Sequence, residues 1–259
     1  MMPAQHMFLK VIACEIAARE LQYTAARSKN LIELELLAQG HHFMPVRGQR
    51  EIQQRIEAVP VGKFDAIVLG YALCGSILAG LKSVHTPLVI PRAHDCISFF
   101  LGSKERYQRC FSERPGTYYF TSGWLECAGR RGAQSNAWDA FSPANSRADL
   151  QPSYDQWVKK YGPEQAEFLL KEMSSWAQVY SHGCLIEFEF LKHLDFPKRV
   201  REICSGKAWN YEQIPGDFAL FEKMLNGPWP EEEFLTVKPG QSVVATFDER
   251  IIAATTSPS

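Results

Sequence analysis

Two stretches of sequence decide the fold: residues 66–75 read AIVLGYALCG, and residues 87–96 read PLVIPRAHDC. Each begins with a short apolar run that does not alternate with polar residues, which is typical of a strand covered on both faces. Each then passes into a turn that contains a cysteine, Cys74 in the first and Cys96 in the second. The two stretches predict strands of a parallel sheet, with reactive side chains directly after them.

The same pattern recurs on both sides of these stretches. Segments compatible with helices separate the apolar runs, and strands that alternate with helices predict right-handed βαβ units. We therefore predict an α/β fold, a parallel sheet with flanking helices, over residues 7–124. The predicted strands are residues 8–13, 31–37, 66–70, 87–91 and 117–121, and the predicted helices are residues 15–28, 48–59, 76–83 and 98–114.

The second half of the chain repeats this organisation after a break. Residues 128–153 are small, polar and aperiodic, which indicates a loop or insertion. We predict an N-terminal α/β lobe over residues 7–127 and a C-terminal α/β lobe over residues 154–252, facing each other across a cleft. In the second lobe we expect a helical region at 154–180, strands at 184–190, 209–214, 234–238 and 243–247, and helices at 197–203 and 216–225.

Composition narrows the classes of partner. The chain of 259 residues has 28 basic and 29 acidic side chains and a net charge of −1 at pH 7, which argues against nucleic acid and anionic membranes as partners. Its seven cysteines are odd in number and irregularly spaced, as in a cytoplasmic protein with reduced thiols. Residues 10–14, KVIAC, resemble a lipoprotein box, but the apolar run before Cys14 is too short for a signal peptide. We expect a cytoplasmic protein with an unmodified Cys14 that acts on a small molecule.

Four potential ligand side chains follow predicted strands. Cys14 follows the first strand, Cys74 the third, and His94 and Cys96 the fourth. In an open parallel sheet, ligands bind outside the carboxyl ends of the strands. We therefore expect these four side chains to converge in one pocket.

Thiolate and imidazole groups together are typical ligands of zinc and iron. The spacing is too long for a zinc ribbon, so a metal held by Cys74, His94 and either Cys14 or Cys96 would be a reactive centre. Asp95 is a further candidate, either as a ligand or as a group that orients the imidazole. Two alternatives stay open: a metal-free thiol or acid–base site, and simple packing of the cysteines as small apolar groups.

Other residues near the same strand ends could bind a cofactor or substrate. Gly70, Tyr71 and Gly75 belong to a glycine-flanked turn, which would let the backbone approach a ligand. The guanidinium of Arg92 could bind a carboxylate or phosphate of the substrate, or pair with a structural carboxylate. Trp124 follows the fifth predicted strand and could line the rim of the pocket.

Three segments, residues 69–75, 89–97 and 116–124, resemble the bacterial and archaeal domain-of-unknown-function family numbered 1638. The resemblance implies no activity. Members of the family often lie near genes for corrinoid-dependent methyl transfer, which implies one-carbon or methyl-group metabolism and a partner methyltransferase. We therefore expect a zinc or iron enzyme in such metabolism. The alternatives are a non-catalytic protein that holds a metal, tetrapyrrole or corrinoid for a partner, and a cofactor-free Cys/His thiol enzyme.

Overall fold

The computed structural model describes residues 6–39, 45–130, 154–155, 157–159, 161–177 and 179–256. Most of the predicted insertion at 128–153 lies outside these residues. The strands are β1 (Phe8–Cys14), β2 (Leu31–Leu37), β3 (Ala66–Gly70), β4 (Leu88–Pro91), β5 (Thr117–Phe120), β6 (His182–Glu187), β7 (Asn210–Pro215), β8 (Phe234–Val237), β9 (Gln241–Ala245) and β10 (Ile252–Thr256). The helices are α1 (Ala18–Arg27), α2 (Pro45–Glu57), α3 (Ile97–Leu101), α4 (Lys104–Glu113), α5 (Ser122–Arg130), α6 (Pro163–Ala177), α7 (Phe196–Gly206) and α8 (Ala219–Asn226).

A five-stranded sheet in the order β2-β1-β3-β4-β8 carries the candidate site. Its first four strands are parallel, and β8 pairs with β4 in the antiparallel direction. β3 and β4 are buried along their whole length, as their apolar residues on both faces require. β2 is less buried and carries Glu33 and Glu35, which pair with Lys10 of β1 at 3.0 and 2.7 Å. The prediction of a mostly parallel sheet with flanking helices is confirmed.

One predicted strand belongs to a different sheet. The run at 117–121 forms β5, which pairs with β6 in a three-stranded parallel sheet in the order β5-β6-β7. Its assignment to the sheet of residues 7–124 was wrong. The physical reason is that β8, which we assigned to the second lobe, occupies the side of β4 where β5 would have paired.

The chain divides into two compact units. Unit 1 consists of Met1–Tyr107 with Gly216–Ser259, and unit 2 of Gln108–Pro215. This division differs from the predicted lobes at 7–127 and 154–252 because the end of the chain returns to the first sheet. β8 joins β4, α8 packs against α1 and α3, and β9 forms an antiparallel hairpin with β10.

The segment predicted as a helix at 76–83 is not α-helical. A short 3-10 turn covers Cys74–Ser76, and the residues after it form isolated turns and bond to β9 instead of continuing as a helix. The Gly80 N–H donates to the Val243 carbonyl at 2.7 Å, and the Val243 N–H donates to the Leu81 carbonyl at 2.8 Å. These tertiary hydrogen bonds replace those of a helix.

The remaining predicted helices in the described residues agree in position, and the region predicted at 154–180 is interrupted at Gly162. The predicted helix at 98–114 is divided into α3 and α4 at Gly102, whose φ of +80° ends α3. No helix in the described part of the chain is both long and apolar enough to cross a membrane.

Candidate functional site

Three neighbouring parallel strands of unit 1 bring three cysteines to one edge of the sheet. Cys14 is the last residue of β1, while Cys74 follows β3, which ends at Gly70, and Cys96 follows β4, which ends at Pro91. β3 lies between β1 and β4, so the two loops and the end of β1 are adjacent. All three thiols are half-buried, and none of the seven cysteines forms a disulfide.

Backbone hydrogen bonds hold the two loops together beyond the strands. The Leu73 N–H donates to the Ala93 carbonyl at 2.9 Å, and the Cys74 N–H donates to the His94 carbonyl at 3.1 Å. Cys74 and Ser76 have φ angles of +36° and +75°, in the left-handed region that costs an ordinary residue about 1–2 kcal/mol. Such strain persists only where the surrounding structure enforces it, and it is common at functional sites.

The thiols interact with one another. A hydrogen bond joins the Cys96 and Cys74 side chains. This hydrogen bond, followed by burial, raises the pKa of the Cys96 thiol well above its ordinary value, and the negative charges of Asp95, Cys74 and Cys14 act in the same direction. In the absence of a metal, Cys96 is therefore a protonated thiol. A bound metal ion would reverse this, because it coordinates the thiolate.

Tyr71 lies deep beside the cysteines. Its side chain is only 5% exposed, and Cys14 and Cys74 pack against the same hydrophobic cluster. Its hydroxyl has no hydrogen-bond partner among the residues that the structure describes, an arrangement that costs about 1–3 kcal/mol for a buried polar group. Burial raises the pKa of Tyr71 well above its ordinary value, and nearby negative charge, that of Cys14 first, adds to the effect. The phenol therefore keeps its proton.

The side chain of His94 is exposed to solvent, whereas that of Asp95 bonds to the backbone. The imidazole of His94 is exposed, while its carbonyl accepts the Cys74 N–H. The Asp95 carboxylate accepts the backbone N–H of Ile97 at 2.8 Å, and so caps the start of α3. The structure thus assigns Asp95 a capping role, and its charge also contributes to the raised pKa of Cys96.

Arg92 is engaged by backbone carbonyls. Its Nε donates to the Glu231 carbonyl at 2.6 Å, and its Nη1 donates to the Arg250 carbonyl at 2.7 Å and to the Ile252 carbonyl. Burial is the main cause of the lowered pKa of Arg92. The guanidinium thus holds the C-terminal segment against β4, and its binding of an anionic group of the substrate stays a prediction.

The glycines and Trp124 also have local roles. A Cβ atom at Gly70 would lie 2.5 Å from the Cβ of Ala13, so this glycine allows β1 and β3 to pack closely. Gly75 lies within the 3-10 turn that presents Cys74. Trp124 belongs to unit 2, where its ring lies 5.9 Å from that of Tyr118.

The four predicted metal ligands are brought to one region, but they do not form a complete ligand set. In the part of the chain that the structure describes, no three His, Cys, Asp or Glu side chains are arranged to hold a metal ion. Two of the four, Cys74 and Cys96, are joined by a side-chain hydrogen bond. The sequence analysis did not identify Glu51 of α2, whose negative charge helps to raise the pKa of Tyr71. The sequence of a helix with mixed polarity does not indicate which of its residues lies near the end of a strand.

These features define an α/β protein with a group of thiols at the carboxyl edge of a parallel sheet. The chain belongs to the family described as Protein of unknown function (DUF1638), whose model matches residues 36–225. The matched region includes Cys74, His94 and Cys96, while Cys14 precedes it. No curated protein and no solved structure matches the chain.

Proposed function

We propose that the protein is a metal-thiolate enzyme that binds zinc or iron through Cys74 and Cys96 and acts on a small substrate. The observation that carries the proposal is the hydrogen bond between these two thiols, which follow adjacent parallel strands at the carboxyl edge of the sheet. That edge is where open α/β sheets bind ligands. Two thiolates are a strong starting set for either metal, because thiolate sulfur suits zinc and iron better than it suits magnesium or calcium.

Cys14 and His94 are the groups that would complete the ligand set. Cys14 lies at the end of β1, near enough for its charge to act on Cys96. The backbone of His94 is fixed beside Cys74 by the hydrogen bond from the Cys74 N–H, while its imidazole is exposed. We propose that rotations of the Cys14 and His94 side chains complete the set. Three protein ligands would leave a coordination position for the substrate.

The proposed reaction class is methyl-group or one-carbon transfer, in cooperation with a partner methyltransferase. It rests on the family resemblance and on the ability of a thiolate-rich zinc to bind and activate a substrate thiol. A cleft between two lobes stays a prediction, as does a cytoplasmic location. A non-catalytic protein that holds a metal, tetrapyrrole or corrinoid is an outcome that the following experiment would detect.

The test is elemental analysis and an absorption spectrum of the purified protein. We expect about one zinc or iron per chain, with sulfur-to-iron absorption in the visible range if the metal is iron. Cys74→Ala and Cys96→Ala should each lose most of this metal, while Cys110→Ala, which changes a half-buried thiol of α4, should keep it. A corrinoid spectrum would favour the accessory protein. Wild-type protein that stays metal-free after zinc and iron are supplied would contradict the proposal.

A cofactor-free thiol enzyme is the second candidate, favoured by the same hydrogen bond between Cys74 and Cys96 in a site without a complete ligand set among the described residues. Two hydrogen-bonded thiols can share roles, one as nucleophile and the other as proton donor. Alkylation by iodoacetamide followed by peptide mapping tests it. A metal-free protein in which Cys74 or Cys96 reacts much faster than Cys110 would support this candidate. Equal reactivity of the three would contradict it.

A further inference from the structure

We propose that Cys74 and Cys96 form a redox-active pair, which a low-molecular-weight disulfide such as glutathione disulfide oxidises to an internal disulfide bond. The inference goes beyond the proposed function, because forming this bond needs no metal. It adds a modification site at the carboxyl edge of the five-stranded sheet. A disulfide there would also take up both sulfurs that we propose as metal ligands.

The two side chains already interact, since a hydrogen bond joins Cys96 to Cys74. A disulfide bond is shorter, about 2.05 Å, so the two sulfur atoms have to approach further before the bond can form. Neither residue lies within a strand or an α-helix, because Cys74 begins a 3-10 turn and Cys96 directly precedes α3. The approach therefore involves two turns, not the strands of the sheet.

The backbones that carry the two cysteines lie at a suitable separation. The Leu73 N–H donates to the Ala93 carbonyl at 2.9 Å, and the Cys74 N–H donates to the His94 carbonyl at 3.1 Å. Neighbouring backbones that are hydrogen-bonded in this way lie about 4.8 Å apart. The Cα atoms of most disulfides are about 4.4–6.8 Å apart, so a disulfide can span the two loops.

Exposure distinguishes this pair from the other cysteines. Cys74 and Cys96 are half-buried, and the turn that begins at Cys74 ends at the exposed Ser76. Cys110 is also half-buried, but it lies in α4 of unit 2. Three other cysteines are buried: Cys127, Cys184 and Cys204. Cys74 and Cys96 are therefore two hydrogen-bonded thiols that a small oxidant can reach.

The reaction consists of two thiol–disulfide exchanges. The thiolate of one cysteine attacks a sulfur of the external disulfide, whose sulfur–sulfur bond breaks as one external thiolate leaves. The thiolate of the other cysteine then attacks the protein sulfur of this mixed disulfide, and the second external thiolate leaves. The protein loses two electrons and two protons, and the two external thiols that are formed carry them away.

The test is oxidation of the full, reduced and metal-free chain by glutathione disulfide, followed by alkylation, digestion with trypsin and mass spectrometry. Cleavage after lysine and arginine separates the three cysteines of the site, because Cys14, Cys74 and Cys96 fall within residues 11–19, 64–82 and 93–104. We expect the chain to lose two hydrogen atoms and the peptides of Cys74 and Cys96 to be linked. A reducing agent should restore both thiols.

Substitutions separate the two exchanges. Cys14→Ser is the matched control, because it removes the third half-buried thiol at this edge and should still form the bond between Cys74 and Cys96. In that background, adding Cys96→Ser should stop the reaction at a mixed disulfide between glutathione and Cys74, since no second thiol remains at this edge to displace the glutathione.

Three results in the wild-type chain would each overturn the inference. The first is that both thiols stay open to alkylation, the second is that glutathione remains on Cys74 or Cys96 without an internal bond, and the third is that either residue is linked to Cys14. The metal content of the reduced chain tests the proposed function separately. A chain that forms the disulfide but binds neither zinc nor iron when reduced would overturn the proposed function and support this inference.

Discussion

At the scale of single residues, Arg92 shows how a charged side chain near a candidate site can connect distant parts of the chain. Its guanidinium donates to carbonyls of Glu231, Arg250 and Ile252. These acceptors lie 139 to 160 residues further along the chain. The arginine therefore connects β4 to the C-terminal hairpin, and its contribution should appear in stability and not in ligand binding.

Arg92→Lys should lower the free energy of unfolding by about 2 kcal/mol, because an ammonium group cannot reach all three carbonyls and hydrogen bonds to charged groups contribute about 1.5–3 kcal/mol each. Urea unfolding measures the change. Arg199→Lys, at an exposed position of α7, is the control and should change stability little. If Arg92→Lys instead keeps full stability and weakens the binding of an anionic substrate, Arg92 is a substrate-binding residue.

The residue scale also shows what the sequence could predict of the site. Cys14, Cys74 and Cys96 could be placed at one edge because the rule for strand ends needs only the positions of the strands. The role of Arg92 could not be predicted, because it depends on carbonyls from a distant segment. The capping role of Asp95 has a local signal, since aspartate commonly bonds a backbone N–H two residues ahead.

At the scale of elements, the close approach of β1 and β3 places Cys14 beside the loop that contains Cys74. This approach depends on Gly70, where any side chain would meet Ala13 of β1. The apolar runs at 8–13, 66–70 and 87–91 predicted these strands correctly. A strand that is buried on both faces can be recognised in the sequence as a short, nearly continuous run of apolar residues. The order β2-β1-β3-β4 and the addition of β8 had no such local signal, since strand pairing depends on residues far apart in sequence.

Gly70→Ala should lower the free energy of unfolding by about 1–3 kcal/mol, the usual cost of extra volume in a packed core. The new Cβ would lie 2.5 Å from the Ala13 Cβ, so one strand must shift. Thermal or urea unfolding measures the loss. The double variant Ala13→Gly/Gly70→Ala should recover part of the lost stability, because removing the Cβ of residue 13 makes room for the new Cβ of residue 70.

The control for that pair is Gly206→Ala at the end of α7, where an added Cβ meets nothing within 4 Å and the expected change is small. Equal stability of Gly70→Ala and wild type would contradict the close packing of β1 against β3. If Gly70→Ala loses stability and the added Ala13→Gly substitution recovers none of it, the strain lies elsewhere in the sheet.

At the scale of the whole molecule, unit 1 is assembled from two separate parts of the chain. The later part contributes β8, which pairs with β4, and Phe221 of α8, whose ring centroid lies 6.2 Å from that of Phe99 and 5.7 Å from that of Phe100. It also supplies the carbonyls that bind Arg92. The thiol site therefore belongs to a unit that depends on residues near the end of the sequence.

A chain that ends at Pro215 should lose the cooperative unfolding of unit 1, because β4 would lack its partner β8 and the phenylalanines of α3 would be exposed. Circular dichroism during urea unfolding, with sedimentation to detect aggregates, measures this. A chain that ends at Thr256 retains all these contacts and is the control. A Pro215-terminated chain that unfolds as cooperatively as the control would show that unit 1 does not require its later part.

The division of unit 1 also matters while the protein is being made. Residues up to Tyr107 leave the ribosome before the 108-residue stretch that ends at Pro215, and only then does the rest of unit 1 emerge. Protein synthesis adds about 5–20 residues per second, so the edge of β4 stays unpaired for roughly 5–20 s before β8 is made. Such an edge is a template for pairing with another chain. We therefore expect newly made chains to be most prone to pair with one another during this interval.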